Sequence, residues 1–368
     1  MALKLFYLND ALKIVLYPLS LIYGLVVFIR NRLFDVGVLK EFKPDIHTIG
    51  VGNLAVGGAG KTPMVEYLIT LLQQNDFKVA TLSRGYKRKT KGYVLADENS
   101  TADDIGDEPL IYKSKYKIPV AVDANRVNGV KNLSSLENKP NVVLLDDVFQ
   151  HRYIKCGMNI VVSEFGHPFF SDDLLPYGTL REQKSGMRRA DIIVISKTPD
   201  RTTPIELRNV LKDVKPLAHQ YVFFSYLKYG DLYSITDAAT KLVTEKELFK
   251  YHVMALTGIA NATPMITYLK EYANEVYHFP FDDHHEFVPK ELEDIQRYYE
   301  QLNKTNKIII TTEKDFMRLK NHNIWPIAKN MNIFVLPVET TFRDKEEEFN
   351  QTILKYARTN RFYHQKYS

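Results

Sequence analysis

The apolar residues of the chain fall into short runs separated by longer amphipathic segments. "IHTIGV" (residues 46–51) and "KVATLS" (78–83) are apolar and rich in β-branched residues, and three similar runs follow at 142–147, 159–164 and 191–197. Runs of this length and composition predict buried strands. Because segments long enough for helices lie between several of them, we expect a parallel sheet with helices on both faces, the α/β class.

A second pattern begins near residue 216. The composition there becomes aromatic and alternating, and Gly230–Asp231 is a turn signal, which predicts a two-stranded hairpin. Apolar runs return at residues 251–260 and 307–315. Since 368 residues exceed the usual size of one hydrophobic core, we predict several units. They are an N-terminal hydrophobic helix region (1–40), a first α/β domain (41–215), a two-stranded linker (216–248) and a smaller C-terminal α/β domain (249–368).

The N-terminal region contains "IVLYPLSLIYGLVVFI", 16 uncharged residues at positions 14–29. A spanning helix needs about 17–25 residues, and a cleaved signal would end in small residues, whereas "RNRLF" follows here. A buried core helix is the alternative. Through residue 43 the chain carries six basic and three acidic residues. We therefore expect residues 12–29 to form an uncleaved helix in or on the membrane, with basic flanks facing the anionic cytoplasmic leaflet.

Composition narrows the function classes. Hydrophobic residues make up 45% and charged residues 25% of the chain, as in globular proteins. The single cysteine, Cys156, excludes a disulfide framework and fits a reducing compartment. A net charge of only +5 gives no footprint for nucleic acid. We expect no nucleic-acid partner, and no obligate protein partner is evident.

A glycine-rich stretch carries the strongest chemical signal. In "VGNLAVGGAGKTPMVEYLITLL" (51–72) an apolar run leads through a Gly-rich loop into residues with helical spacing. Backbone N–H groups at such a loop point toward a bound phosphate. Lys61 would then reach the β/γ-phosphates of a bound nucleotide, and the Thr62 hydroxyl would hold Mg²⁺. The strict motif has glycine where Ala55 stands, and a chance Gly-Lys-Thr turn is the alternative, but the strand and helix favour a phosphate loop.

Two acidic pairs have less specific meanings. "VVLLDDVFQH" ends a predicted strand with Asp146 and Asp147, where a carboxylate beside a phosphate loop can hold Mg²⁺. Adjacent aspartates can also simply cap a strand. "DIGDEPLIY" places Asp107 and Glu108 after a glycine, and the commoner meaning of that pattern is a helix with carboxylates in its first turn.

Two further clusters are polar loops. "FPFDDHHEF" (279–287) contains carboxylates beside histidines. It lacks the Cys/His spacing of a structural zinc site, although a histidine beside an aspartate could tune a general base. "SRGYKRKTKG" (83–92) is basic. A solvated loop is its commonest meaning, and contact with an anionic substrate or leaflet is the alternative.

Eight motifs taken together identify a family. The sequence is similar to the tetraacyldisaccharide 4'-kinase family of lipid A biosynthesis in, successively, "VGNLAVGGAGKTP", "LSRGY", "GDEP", "DDVFQH", "LLPYGTLRE", "TGIANATPM", "DDHHEF" and "TTEKD". The resemblance covers nearly the whole chain, and the family's phosphate loop also lacks the first glycine. It implies two α/β/α domains joined by a two-stranded linker. It also implies transfer of phosphate from Mg-ATP to the 4'-hydroxyl of a lipid-anchored disaccharide 1-phosphate, forming lipid IVA.

The same resemblance assigns residues. It implies a catalytic pair of Asp107 and His284, with Lys61 acting on the phosphates. The nucleotide-binding residues would be Gly57, Gly58, Ala59, Gly60, Lys61 and Thr62. The metal-binding residues would be Thr62, Glu108, Asp146 and Asp147. Other polar positions of the cleft that match are Gln150, His151, Arg181 and Glu182.

Two positions depart from the family pattern. Val148 stands where the family has glycine after the two aspartates, and Gln183 stands where proline is usual. Glycine permits a positive φ or a close backbone approach, and a β-branched residue resists both, so the sequence leaves the geometry of the loop after Asp147 open.

Two other functions fit parts of the sequence. A phosphate-loop kinase or ligase with a soluble acceptor has no use for a membrane helix at residues 12–29. A nucleotide-dependent switch at the membrane would need base recognition and no lipid acceptor. Nucleotide turnover with and without a lipid A precursor distinguishes these functions from the kinase.

Overall fold

A computed structural model of the chain describes residues 10–235, 242–321 and 323–359, with side chains from residue 14 onward. Residues 1–9 and 360–368 of the predicted terminal regions, and 236–241 of the predicted linker, lie outside the described residues.

Two sheets organise the described chain. The first contains nine strands in the spatial order β15-β8-β7-β6-β1-β5-β2-β4-β3. Its strands are β1 (His47–Gly52), β2 (Val79–Ser83), β3 (Val94–Leu95), β4 (Val120–Val122), β5 (Val142–Asp146), β6 (Met158–Glu164), β7 (Ile192–Ser196), β8 (Tyr221–Tyr229) and β15 (Val338–Phe342). The interior strands pair in parallel, whereas the edge strands β3 and β15 pair antiparallel. The buried parallel sheet predicted from the apolar runs is confirmed.

Helices cover both faces of this sheet. The helices of this unit are α1 (Asp10–Asp35), α2 (Lys61–Gln73), α3 (Ala102–Ile105), α4 (Asp107–Lys115), α5 (Arg126–Ser134), α6 (Pro204–Val214) and α11 (Glu346–Arg358). Apolar residues of α2 and α11 share one core cluster with the strands, while α5 and α6 pack into clusters that contain neither α2 nor α11. The result is the predicted α/β/α arrangement.

The second sheet is smaller. Its six strands have the order β10-β9-β14-β13-β11-β12. They are β9 (Leu232–Ser234), β10 (Leu242–Val243), β11 (His252–Thr257), β12 (Glu275–Pro280), β13 (Lys307–Thr312) and β14 (Ile333–Leu336). The accompanying helices are α7 (Thr263–Tyr272), α8 (Pro289–Gln301), α9 (Glu313–Leu319) and α10 (Trp325–Ala328). Phe316 and Met317 of α9 share a buried cluster with Ile105 and Ile111, which packs the second unit against the first.

The connection between the sheets differs from the predicted hairpin. Strand β8 pairs with β7 in the first sheet, whereas β9 pairs with β10 and β14 in the second. The two antiparallel connecting strands are instead β8 and β15, aligned from Ser225↔Phe342 to Tyr229↔Val338. A turn at Gly230 indicates a hairpin only when both flanking strands remain in one sheet, and here the chain leaves the first sheet at that turn.

Two elements within the predicted unit 249–368 lie with the first sheet. Strand β15 belongs to the first sheet, and α11 buries Phe349 and Ile353 in the same core as Met64 of α2. The alternation of strands and helices continues unbroken through this region of the sequence, so it gives no signal that the chain has returned to the first sheet.

Helix α1 is longer than the predicted 12–29. Its segment Ile14–Asp35 has a mean hydropathy of 1.7 and only 11% of the most apolar window is buried, so it meets the length and composition of a membrane-crossing helix. Ile14 is 74% exposed and Ile22 is 61% exposed. The opposite side is bound to the first domain, since Ser20 Oγ donates to Leu174 O and Tyr23 Oη donates to Arg181 O. A buried core helix is therefore excluded for the outward side.

Candidate active site

The phosphate loop lies between β1 and α2, as predicted. Gly57 and Gly60 have φ values of +115° and +85°, in the region that favours glycine. Gly60 caps α2, so the first amides of the helix face the loop. Ser196 Oγ at the end of β7 donates to Ala59 O at 2.6 Å. The loop is thus held open at the positive end of a helix, where it can receive a phosphate.

Lys61 is held at this loop by polar groups. Its Nζ donates to Asn53 Oδ1 at 3.1 Å and lies 3.5 Å from Asp147 Oδ1. Arg181 binds both oxygens of Asp147, at 2.8 and 3.0 Å. Burial acts to raise the pKa of Asp147, but Lys61 and Arg181 outweigh it and keep the pKa well below its usual range. The Lys61 ammonium therefore has a fixed anionic partner in Asp147.

The residue after the two aspartates does not need to be glycine here. The positive φ of this loop belongs to Asp147, at +49°, and Val148 is not among the residues with positive φ. Val148 is 3% exposed and packs with Ile154 and Cys156. Valine fits this loop, because its backbone does not need a positive φ and its side chain fills the core.

Oxygen atoms suited to Mg²⁺ lie around Thr62. Thr62 Oγ1 donates to Glu108 Oε1 at 3.1 Å. Asp146 is buried at the end of β5, where its Oδ2 accepts from Tyr112 Oη at 2.9 Å. Its Oδ1 is buried and has no hydrogen-bond partner among the described residues. Burial, with the nearby charge of Glu108, raises the pKa of Asp146 to about 7. An unpartnered, buried carboxylate oxygen at the end of a strand fits a hard cation.

The protein alone does not form a complete metal cage. Among residues 10–235, 242–321 and 323–359, no group of three or more histidine, cysteine or acidic side chains could hold a metal. A small set of protein ligands agrees with the coordination preference of Mg²⁺, which binds one or two carboxylates and completes its octahedral shell with phosphate oxygens and water.

Asp107 and His284 meet across the two units. Asp107 begins α4 after Gly106, so its role as a first-turn carboxylate also holds. His284 lies in the loop after β12 with φ +59°, and its Nδ1 is 3.0 Å from Asp107 Oδ2. Burial acts to raise the pKa of Asp107, but hydrogen bonds and charge from His284 and Arg318 lower it overall. The structure thus brings together the two residues that the family resemblance pairs.

Three further polar residues complete the site and were missed from the sequence. Asn53 lies against Lys61, Lys314 Nζ is 2.6 Å from Glu108 Oε1, and Arg318 binds Asp107. Lys314 belongs to the "TTEKD" motif and Arg318 lies four residues further along α9, so the two occupy one helix face. The four-residue spacing of two basic residues is the only sequence signal for this pair. It does not indicate a site by itself, because the site forms only where α9 packs against the first unit.

The other polar positions of the resemblance connect the site to α1. Gln150 Nε2 donates to Asn53 O at 2.8 Å and to Glu182 Oε1 at 3.0 Å. Glu182 is 2% exposed and accepts from Asn31 of α1 at 3.2 Å. His151 lies nearby with an unpartnered Nε2 among the described residues, and burial lowers its pKa to about 4. The hydrophobic helix therefore touches the groups that hold Asn53.

The basic loop after β2 borders the same region. It surrounds a cavity of about 430 Å³ lined by residues 84–88, 90–92 and Ala124. Arg88 is used inside the loop, because it donates to Val122 O and Gly92 O. The ring of Tyr86 packs edge-on against His284 at 5.4 Å between centroids. The loop therefore reaches the Asp107–His284 pair.

Comparison with known proteins agrees with this geometry. A family model described as tetraacyldisaccharide-1-P 4'-kinase matches residues 12–358. The chain is 43% identical over 350 residues to a tetraacyldisaccharide 4'-kinase of Phocaeicola vulgatus, covering 94% of this chain and 95% of that one. It is 42% identical to one of Flavobacterium johnsoniae, covering 95% and 99%. The crystal structure of LpxK from Aquifex aeolicus in complex with ATP has a TM-score of 0.70, 29% identity and coverage of 94% and 99%.

Proposed function

The chain belongs to the tetraacyldisaccharide-1-phosphate 4'-kinase family, and on this premise we propose that it transfers the γ-phosphate of ATP to the 4'-hydroxyl of a lipid-anchored tetraacyldisaccharide 1-phosphate. The product is lipid IVA, an intermediate of lipid A biosynthesis. Membership confirms the resemblance and the kinase class predicted from the sequence. It removes the soluble-acceptor enzyme and the nucleotide switch as alternatives.

One observation carries the assignment of the site. The phosphate loop and the Asp107–His284 pair are joined by a single short path, because Thr62 binds Glu108 and Glu108 is adjacent to Asp107 in the chain. An ATP bound at Lys61 would therefore place its γ-phosphate toward the cleft where the two units meet. That position is where a sugar hydroxyl must enter for in-line transfer.

The transfer step follows from this arrangement. The 4'-oxygen forms a bond to the γ-phosphorus while the bond to the β-bridging oxygen breaks, and ADP leaves. The hydroxyl proton passes to Asp107, directly or through His284. A carboxylate with a lowered pKa is a weak base, but in a loose transition state the proton is given up late, when the oxygen has become acidic. Lys61 stabilises charge on the phosphate oxygens.

Mg²⁺ fits the oxygens of Thr62 and Asp146, with Glu108 and Asp147 beside them. When bound there it would neutralise charge on the β- and γ-phosphates. The unpartnered Oδ1 of Asp146 supports this placement. Asp147 already has Arg181 on both oxygens, so we assign it mainly to holding Lys61.

The acceptor carries fatty chains, so the enzyme must work at a membrane surface. We propose that α1 holds the protein at the cytoplasmic face of the inner membrane through its outward side. Each buried CH₂ contributes about 0.8 kcal/mol, and basic residues near an anionic surface add about 1 kcal/mol each. One side of α1 exposes apolar residues and the other side is hydrogen-bonded to the first domain. This division supports an orientation with the apolar side toward the lipid.

Membrane attachment can be tested without deleting α1. Replacing Ile22, Leu25 and Val26 by serine removes exposed apolar area and leaves the inward contacts in place. We expect the variant to shift from the membrane pellet to the supernatant. Tyr23→Phe is the matched control, since it removes the bond to Arg181 O and should leave membrane recovery unchanged. Full pelleting of the triple variant would place the anchor elsewhere, with the basic loop at 84–91 as the next segment to test.

The activity itself is tested by supplying ATP, Mg²⁺ and tetraacyldisaccharide 1-phosphate in detergent micelles. We expect ADP to form only when the acceptor is present. ADP formation at the same rate without acceptor would contradict the kinase assignment.

A further inference from the structure

Asp107 is held through one oxygen only. Arg318 donates to its Oδ2 from Nε at 2.9 Å and from Nη2 at 2.7 Å. His284 Nδ1 lies 3.0 Å from the same atom. Among the described residues, no donor binds Oδ1. The carboxylate is therefore oriented by its Oδ2, and Oδ1 is the oxygen left for another molecule.

The guanidinium of Arg318 is itself fixed. Its Nη1 donates to Asp315 Oδ1 at 2.7 Å and to Gly258 O at 2.9 Å. Asp315 is fully buried and also accepts from Gly258 N and from Thr312 Oγ1. Arg318 is 7% exposed. A planar fork held at both ends is a rigid support for a carboxylate, which the flexible point charge of a lysine cannot match.

Arg318 also constrains His284. Its Nη2 lies 3.2 Å from His284 Nδ1, slightly farther than Asp107 Oδ2. A guanidinium only donates hydrogen bonds and an ionised carboxylate only accepts them. His284 Nδ1 can therefore either accept from Arg318 or donate to Asp107, but not both at once. Arg318 already donates two N–H groups to Asp107 Oδ2. His284 Nδ1 is closer to that oxygen than to Arg318 Nη2, so we assign its N–H as a donor to Asp107. His284 Nε2, on the other side of the ring, lies 3.9 Å from Asp283 Oδ1.

We propose that Arg318 is a positioning residue of the phosphoryl transfer: from the second unit it grips Oδ2 of Asp107 and turns Oδ1 toward the acceptor hydroxyl. Because Arg318 is anchored on α9 and Asp107 on α4, this grip exists only while the two units are packed together. The inference rests on the proposed function, since it gives Arg318 a task in that reaction.

The first test is the kinase assay with Arg318→Ala under saturating ATP and acceptor. Misplacement of a reacting group by about 1 Å can cost on the order of 10²-fold in rate, so we expect kcat to fall by that amount with the KM for ATP nearly unchanged. Guanidinium ion at non-denaturing concentration should restore part of the lost kcat. Arg297→Ala is the matched control, because it removes an exposed arginine paired with Asp294 in the same unit.

A merely structural role is separated by a double-mutant cycle. In an Asp107→Ala background there is no carboxylate to position, so Arg318→Ala should then cost less than about threefold in further kcat. If Arg318→Ala does not fold, Arg318→Lys replaces it in the cycle, since lysine can keep the ion pair with Asp315 but lacks the fork. The same loss in both backgrounds would overturn the inference.

The outcomes also separate this inference from the proposed function. Wild-type protein that phosphorylates the acceptor, together with Arg318→Ala at wild-type kcat, would overturn only the role of Arg318. Wild-type protein that never phosphorylates the acceptor would overturn the proposed function and this inference with it.

Discussion

A lysine that lies between two buried carboxylates tests how the two units are held together. Lys115 at the end of α4 lies 2.5 Å from Glu66 Oε1 of α2 and 2.7 Å from Glu313 Oε1 of α9. Glu66 and Glu313 have side chains 8% and 9% exposed. Lys115→Met would keep the apolar stem and remove the charge that bridges the units.

The size of the effect follows from the geometry. Both carboxylate oxygens contact one ammonium, so they lie no more than roughly 5 Å apart, and at an effective dielectric constant of about 20 two like charges at that separation repel by about 3 kcal/mol. Loss of a partner from a buried ion pair typically costs about 3–5 kcal/mol. Lys115 is 30% exposed. Because some water reaches it, we expect the lower end, about 3 kcal/mol of the free energy of unfolding.

The loss should depend on pH in a defined direction. Burial, with the charge of Glu313, raises the pKa of Glu66 from an ordinary 4.5 to about 7. The native state therefore binds more protons than the unfolded state between those values, and stability falls as pH rises through that window. Without Lys115 the ionised form of Glu66 has no partner. The difference between variant and wild type should thus grow from about pH 5 to about pH 8.

Urea unfolding in detergent micelles, followed by the fluorescence of the single tryptophan, Trp325, measures this difference. Lys113→Met is the control, since it removes a lysine of the same helix whose partner Glu98 is 90% exposed. We expect at most about 1 kcal/mol for that surface pair. Equal losses for the two variants, or a loss for Lys115→Met that does not change with pH, would refute the reasoning.

Three further predictions concern the reaction. Lys61→Ala should lower kcat by at least about 10²-fold, because it removes charge stabilisation made mainly in the transition state, and single-turnover kinetics of the folded variant would show whether that step is slowed. Asp146→Asn should raise the Mg²⁺ concentration needed for half-maximal activity, and an unchanged Mg²⁺ titration would exclude Asp146 as a ligand. Asp107→Ala and His284→Ala should each cost roughly 10²–10⁴-fold in kcat, and the double variant should cost little more than the worse single change. Fully multiplicative losses would show that the two residues act separately.

Much of the first domain is predictable because its signals are local. The residues from Val142 to Leu145 are all apolar, as the middle of a central parallel strand must be, and β5 (Val142–Asp146) ends one residue before the predicted end at 147. Gly60 and Lys61 likewise mark the start of α2. What was not predictable is which sheet a strand joins. Nothing in the sequence at Tyr226 or Thr341 specifies that they pair with each other across more than one hundred residues.

The site divides in the same way. The phosphate loop is predictable because its backbone chemistry requires glycines at fixed positions. Asp107 and His284 are 177 residues apart, and only the family resemblance paired them. Arg318 has no sequence signature of its own, because its importance comes from packing of α9 against α4. Residues that act across a domain interface are set by tertiary contacts, which local patterns do not encode.

The position of the transferred phosphate tests the central claim most directly. Tetraacyldisaccharide 1-phosphate is incubated with ATP, Mg²⁺ and the full chain, and the lipid product is isolated for mass spectrometry and phosphorus NMR. The account predicts one added phosphate per acceptor, bonded to the 4'-oxygen, with an equal amount of ADP. ATP turnover that leaves the disaccharide unmodified, or phosphate at another hydroxyl, would contradict it.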